Sequence, residues 1–122
     1  MSKLSFENVK DWGSISEYIL SLPEIRFVGI VNNMGHLITG EYNKGVVPIA
    51  GLQEYKICME HALELVMKRD LDETLGTLDY IVSKRKSMVI ITIPFYNHLV
   101  LVSAENKVKI EPLIEKILEK LK

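Results

Sequence analysis

Three segments of the 122-residue chain, IRFVGIV, SMVIITI and HLVLVSA, are apolar on both alternations of an extended strand. In the first, Phe27, Gly29 and Val31 fall on one side, and Val28 and Ile30 on the other. Successive side chains of a strand point to opposite faces, so strands of this kind have to be covered on both. That requirement excludes a two-layer fold with one wet sheet face. The cover must come from helices, and the chain supplies three amphipathic segments to provide it.

The first is GSISEYILSLP. Ser14 and Glu17 stand at capping-box spacing, which predicts a helix opening at Ser14 with Ile15, Ile19 and Leu22 on one face. Pro23 closes it, because proline lacks an amide hydrogen and restricts the residue before it. Leu4, Phe6, Val9 and Trp12 are expected to pack over this helix, as part of an N-terminal extension of residues 1–13. The second segment, Leu52 to about Arg69, places Leu52, Tyr55, Cys58, Met59, Ala62, Leu63, Leu65, Val66 and Met67 on an arc of roughly 200°. Gln53, Glu60, His61, Glu64 and Lys68 lie opposite. Such a stripe is wider than one sheet contact requires, and the surplus fits either the domain's own loops or a second copy of the helix. In the third segment, KVKIEPLIEKILEKLK, Ile110, Leu113, Ile114, Ile117, Leu118 and Leu121 share a stripe. Pro112 belongs in a first turn, so this helix is predicted to start near Glu111.

In VNNMGHLITG, residues Asn32 to Gly35 supply turn chemistry, since Asn and Gly tolerate positive φ, and HLIT resumes a strand to complete a hairpin. GEYNKGVVPIAG, with its glycines and Pro48, reads as a loop leaving the sheet. After a helix end at RDLDETLG, the segment LDYIVS is predicted to form a strand to Ser83. Lys84 to Lys86 then make one turn, and Pro94 to Asn97 another. Asp79 and Ser83 interrupt the LDYIVS strand, which suits a sheet edge. The element order is α-β-β-α-β-β-β-α. It predicts a single domain over residues 1–122, of the α/β (α+β) class, built as a three-layer α/β/α sandwich with a five-stranded, mainly antiparallel sheet. The middle helix is expected to cross one face and the terminal helices to share the other.

Charge and chemistry narrow the function classes. Fifteen basic against sixteen acidic residues leave a formal net charge of −1, so no global field gathers nucleic acid or an anionic membrane. Cys58 has no partner in the chain, and no segment reads as a signal peptide or a membrane span; a cytoplasmic protein is expected. His36, His61 and His98 lack the local spacing of a metal motif, with His61 on the polar face of its helix and the others beside turns. Cys58, amid Tyr55, Met59 and Ala62, reads as a buried structural thiol. Asp70, Asp72 and Glu73 follow a helix end and read as solvent-facing. No nucleophile, base and orienting group can be named together, so neither an enzyme nor a metal or cofactor is expected. Two surface features stay open. Tyr42, Asn43 and Lys44, in a loop leading to a helix amino terminus, could hold a small anion or ligand, although GEYNKG lacks the phosphate-loop spacing. Lys84, Arg85 and Lys86 could attract an acidic partner or form a plain solvated hairpin tip.

The run LPEIRFVGIVNNMGHLITG, the helix after it, the pattern LDYIVSKRKSMVIITIPFYNHLVLVSAE and the amphipathic terminal helix resemble the roadblock or dynein-light-chain fold, a relative of profilin and longin domains. IRFVGIVNNMGHLITGEYNKGVVP with ITIPFYNHLVLVSAE is similar to a group of small archaeal proteins of unassigned function. The resemblance spans about residues 14 to 121 and implies a non-enzymatic interaction module. Roadblock-like domains pair through the edge strand before the basic turn and through the middle helix, and many are scaffolds or regulators of small GTPases. For this chain the resemblance implies a homodimer built on Leu52 to Lys68 and Leu78 to Ser83, with Tyr55, Met59, Ala62, Val66, Leu78, Tyr80 and Val82 at the interface. It also implies a protein partner such as a small GTPase, which no residue identifies. The alternative is a ligand-sensing domain of the profilin-like or PAS-like kind, using the loop Gly40 to Gly51.

Overall fold

The computed structural model describes residues 12–49 and 51–122. Its elements run α1 (Trp12–Ser21), β1 (Ile25–Asn32), β2 (Leu37–Tyr42), α2 (Leu52–Arg69), the single turn α3 (Asp72–Leu75), β3 (Ile81–Lys84), β4 (Met88–Phe95), β5 (His98–Glu105) and α4 (Ile110–Leu121). The strands form one sheet in the order β2-β1-β5-β4-β3, with every neighbouring pair antiparallel. The three-layer sandwich that the doubly apolar strands demand is the one that forms, with α1 and α4 on one face and α2 on the other.

On the α1/α4 side, Val28, Ile30, Val89, Ile91, Val100 and Val102 meet Ile19, Leu113, Ile114 and Ile117. On the α2 side, Phe27, Val31, Ile90, Leu99 and Leu101 meet Cys58, Ala62 and Leu65. Each large apolar side chain buried here contributes roughly 1.5–3 kcal/mol, which is why pattern rather than any single bond sets the architecture. Ile25 shares a face with Val28 despite the odd spacing, because the ladder to β5 slips between Ile25 and Phe27. Gly29 and Gly40 oppose one another across β1 and β2. The Phe27 ring lies over both, so that a Cβ would stand 2.8 Å from its Cζ at Gly29 and 2.6 Å at Gly40. Tyr42 packs against the same ring at 4.7 Å and closes this core toward the β2 edge.

Several boundaries differ from expectation, each for a local reason. Trp12 and Gly13 are already helical, so Ser14 lies inside α1 rather than capping it, and the Ser16 hydroxyl donates to Gly13 O at 3.1 Å. The packing expected of Leu4, Phe6 and Val9 lies outside the described residues, while the Trp12 ring sits 6.3 Å from that of Phe95. β2 continues through Gly40 and Glu41 to Tyr42, so the loop begins later than its glycines suggest. Pro94 stays in β4 opposite Leu99, and the turn tip narrows to Tyr96 and Asn97, with Tyr96 at φ 56°.

Pro94 also explains why β3 starts at Ile81 and not at Leu78. The Arg85 N–H donates to Met88 O at 2.8 Å across the turn. Alternation along an antiparallel ladder then makes Ser83–Ile90 and Ile81–Thr92 the hydrogen-bonded pairs. The next bonded pair would set Asp79 against Pro94, whose nitrogen carries no hydrogen, and the ladder stops.

Candidate interaction surface

α2 has two apolar stripes. Cys58, His61, Ala62 and Leu65 are buried against the sheet. Beside them Leu52, Tyr55, Met59, Leu63 and Val66 recur every three or four residues along a line that the domain leaves open. Leu52, Leu63 and Met67 are 65%, 59% and 63% exposed, Tyr55 and Val66 are each 49% exposed, and Met59 is half-buried. Leu71 and Leu75, just before and at the end of α3, are also exposed. Exposed apolar rows of this kind are where an interaction surface is to be sought on a domain.

His61 corrects the sequence reading. It lies on the covered stripe, 3% exposed, with Nδ1 2.8 Å from Ile57 O. One wide arc was really two stripes side by side, so its centre put His61 on the wrong face; the bond to the preceding turn permits the burial. The β1–β2 turn supports the outer stripe from behind. Asn32 Oδ1 accepts the Met34 and His36 N–H groups at 2.9 and 3.0 Å, and Gly35, at φ 86°, sits against Met59.

β3 forms one sheet edge. Because Ile81 and Ser83 bond to β4, Val82 and Lys84 direct their backbone N–H and C=O groups outward. Leu78, Tyr80 and Val82 are half-buried, and the Leu78 N–H donates to Asp72 Oδ1 at 3.2 Å. At the end of the edge, Lys84 Nζ donates to Asn106 O at 2.8 Å, and Asn106 Nδ2 donates to Lys86 O. These bonds tie the basic turn to the β5–α4 loop. Lys84, Arg85 and Lys86 are exposed, and no carboxylate among the described residues pairs with them.

The loop after β2 is braced from within. Tyr42 Oη donates to Ile49 O at 2.8 Å and accepts the Ile49 N–H at 3.1 Å, with Glu54 Oε2 3.3 Å away. Asn43 Nδ2 donates to Leu20 O and Ile25 O at 2.9 and 3.0 Å. Two of the three groups considered for a ligand are thus taken up by the fold, while Lys44 is exposed. Behind Tyr42 lies a cavity of about 40 Å³, lined by Phe27, Ile57, Cys58 and Leu101 among others. That is room for water, far below the roughly 300 Å³ of a small-molecule pocket. Burial, with Glu54 adding to it, pushes the Cys58 thiol up to about 11, so the thiolate a nucleophile needs is disfavoured. Among the described residues no three His, Cys, Asp or Glu side chains gather as a metal site would require, and no helix is long and apolar enough to cross a membrane.

Residues 4–122 match a family of unknown function, DUF6659. The chain belongs to this family. None of the curated proteins matches the sequence significantly. Among solved structures, the gliding protein MglB of Thermus thermophilus superposes with a TM-score of 0.71 at 12% identity, over 98% of this chain and 93% of that one. A Roadblock/LC7 domain from Streptomyces avermitilis gives 0.70 at 10% identity, over 98% and 92%. An MglB in a tetrameric arrangement gives 0.67 at 10% identity, over 98% and 95%. At these identities the likeness is one of fold, and this DUF6659 member has the Roadblock/LC7 fold.

Within that fold the residues expected at an interface separate. Tyr55, Met59 and Val66 lie on the outer stripe of α2, and Leu78, Tyr80 and Val82 follow the edge strand and its approach. Ala62, only 4% exposed, packs in the core of its own domain. Leu63 and Met67 take its place on the surface. Their signal was present in the wide arc, but only the packing separates the two stripes.

Proposed function

We propose that this domain is a non-enzymatic regulatory module acting as a homodimer in the cytoplasm. The outer stripe of α2 and the β3 edge join the two copies, and the dimer offers a composite surface to a protein partner of the small-GTPase class. The observation that carries the reading is the open stripe Leu52, Tyr55, Leu63, Val66 and Met67 on a helix whose other stripe already fills the core. The tetrameric arrangement described for one MglB of the same fold supports association of copies. No observation favours the ligand-sensing alternative, since Tyr42 and Asn43 are bonded internally.

Size-exclusion chromatography with light scattering at micromolar concentration tests the dimer. Wild type is expected at twice 13.9 kDa, and Met59→Glu or Val66→Glu at the monomer mass. An unpaired carboxylate in an apolar contact costs several kcal/mol, enough to dissociate a micromolar dimer. A monomeric wild type would overturn the proposal.

A further inference from the structure

The β3 edge and the turn beyond it are charged in opposite senses at their two ends. Asp79 precedes the strand, Arg85 follows it, both are exposed, and neither meets an opposite charge among the described residues. Pro94 keeps Asp79 off β4, so this stretch of chain is free to be paired from outside.

Two identical strands related by a two-fold axis pair antiparallel with one residue facing its own copy. Only residues that direct their backbone outward can form bonded pairs with each other; in β3 these are Val82 and Lys84, and continued alternation would add Tyr80. Two-fold registers centred on Val82 and on Ser83 each set three residues of β3 against one another, whereas the register centred on Ile81 sets only Ile81 against its own copy. Centred on Ile81, the pairing sets Asp79 against Ser83 and Arg85 against Thr77. Centred on Ser83, it sets Asp79 against Ser87 and Arg85 against Ile81. Centred on Val82, it sets Asp79 against Arg85 twice, once at each end, with Tyr80 facing Lys84.

We propose that two copies pair β3 against β3 in the register centred on Val82, with Asp79 of each copy clasping Arg85 of the other. This rests on the dimer reading above and specifies its register. The acidic group that meets the basic turn is then part of a second copy of the chain. Asn106 holds the turn in place for it through the Lys84 and Lys86 bonds. Opposite charges directly across an antiparallel pair stabilise it, and like charges there destabilise it.

The test is a charge swap read by the dilution dependence of mass in light scattering. Asp79→Arg and Arg85→Asp are each expected to raise the dimer's dissociation constant about tenfold or more, because each puts two like-charged pairs at the interface. The double variant D79R/R85D is expected to return to within about threefold of wild type. Urea unfolding of each variant, dissociated by dilution, should match wild type, since neither residue supports the fold. If both single variants dimerise like wild type while Val66→Glu does not, the register is wrong and the dimer reading survives. If the double variant stays as weak as the singles, the clasp is likewise refuted. If wild type is monomeric, both fall together.

Discussion

Gly35 joins two requirements that can be separated by mutation. Its φ of 86° lies in the left-handed region, and a Cβ there would stand 2.5 Å from Met59 Sδ and 3.0 Å from Met59 Cα. The sulfur can swing away; the helix backbone cannot. Gly45 has almost the same φ, 80°, with nothing within 4 Å of its Cβ position, so it isolates the backbone term. A left-handed conformation costs an L-residue about 1–2 kcal/mol, offset by about 0.4–1 kcal/mol from the stiffer unfolded chain. Gly45→Ala is therefore expected to destabilise by about 1 kcal/mol or less. Gly35→Ala adds overpacking against α2, roughly 1–3 kcal/mol, for a total of about 1–4 kcal/mol. Urea unfolding in the Val66→Glu background measures this without contributions from dimerisation, and an unchanged m-value validates the comparison. If the two alanine variants agree within about 0.5 kcal/mol, the hairpin does not press on α2 as described.

Two further perturbations test other parts of the structure. Burial raises the Cys58 thiol from 9.0 to about 11, so the unfolded chain loses this proton first as pH rises. The stabilisation is complete below about pH 9 and lost on the way through pH 11; Tyr42, also raised by burial, acts in the same direction at higher pH. Cys58→Ala should flatten the alkaline limb of the stability profile between these values, and a limb identical to wild type would contradict the burial of the thiol. Glu24 holds φ 74° after Pro23 in the turn closed by Ile25 N–H and Leu22 O at 3.4 Å, a position that favours glycine. Glu24→Gly is expected to raise stability by up to about 1 kcal/mol in urea, and a loss of similar size would show that the Glu24 side chain contributes more than its backbone strain removes.

How far the fold was legible depended on whether a feature was repeated or solitary. Strand pattern is repeated: every second residue of β1, β4 and β5 reports the same covered faces, so the five-stranded sandwich followed from few assumptions. The end of β3 rests on a single atom, the missing hydrogen of Pro94, in a strand paired by register rather than by sequence proximity. Helix periodicity told that α2 was too apolar for one face, but a projection averages two adjacent stripes into one arc. That average placed His61 outside, wrongly, and left Ala62 unseparated from the exposed stripe beside it, because the position of the sheet under the helix enters only through packing. Asn43 was invisible for a different reason: its partners are backbone carbonyls of Leu20 and Ile25, which no side-chain pattern announces.

The imbalance between the two layers bears on why α2 should have two apolar stripes at all. Among the described residues, sixteen buried apolar ones gather on the α1/α4 side, against eight on the α2 side. The single helix α2 meets the less apolar of the two sheet faces, and small residues such as Cys58 and Ala62 are among those it buries there. Of its larger side chains Leu65 is buried, whereas Leu52, Leu63 and Met67 are exposed. A helix built only to close its own domain would bury the large residues and expose polar ones, since that arrangement gains most per residue. The reverse assignment makes sense if the outer stripe is also buried in the working state, which places selection on two surfaces of one helix. Which stripe a residue occupies then decides the kind of damage its loss causes: instability at every concentration on the inner stripe, and concentration-dependent dissociation on the outer one.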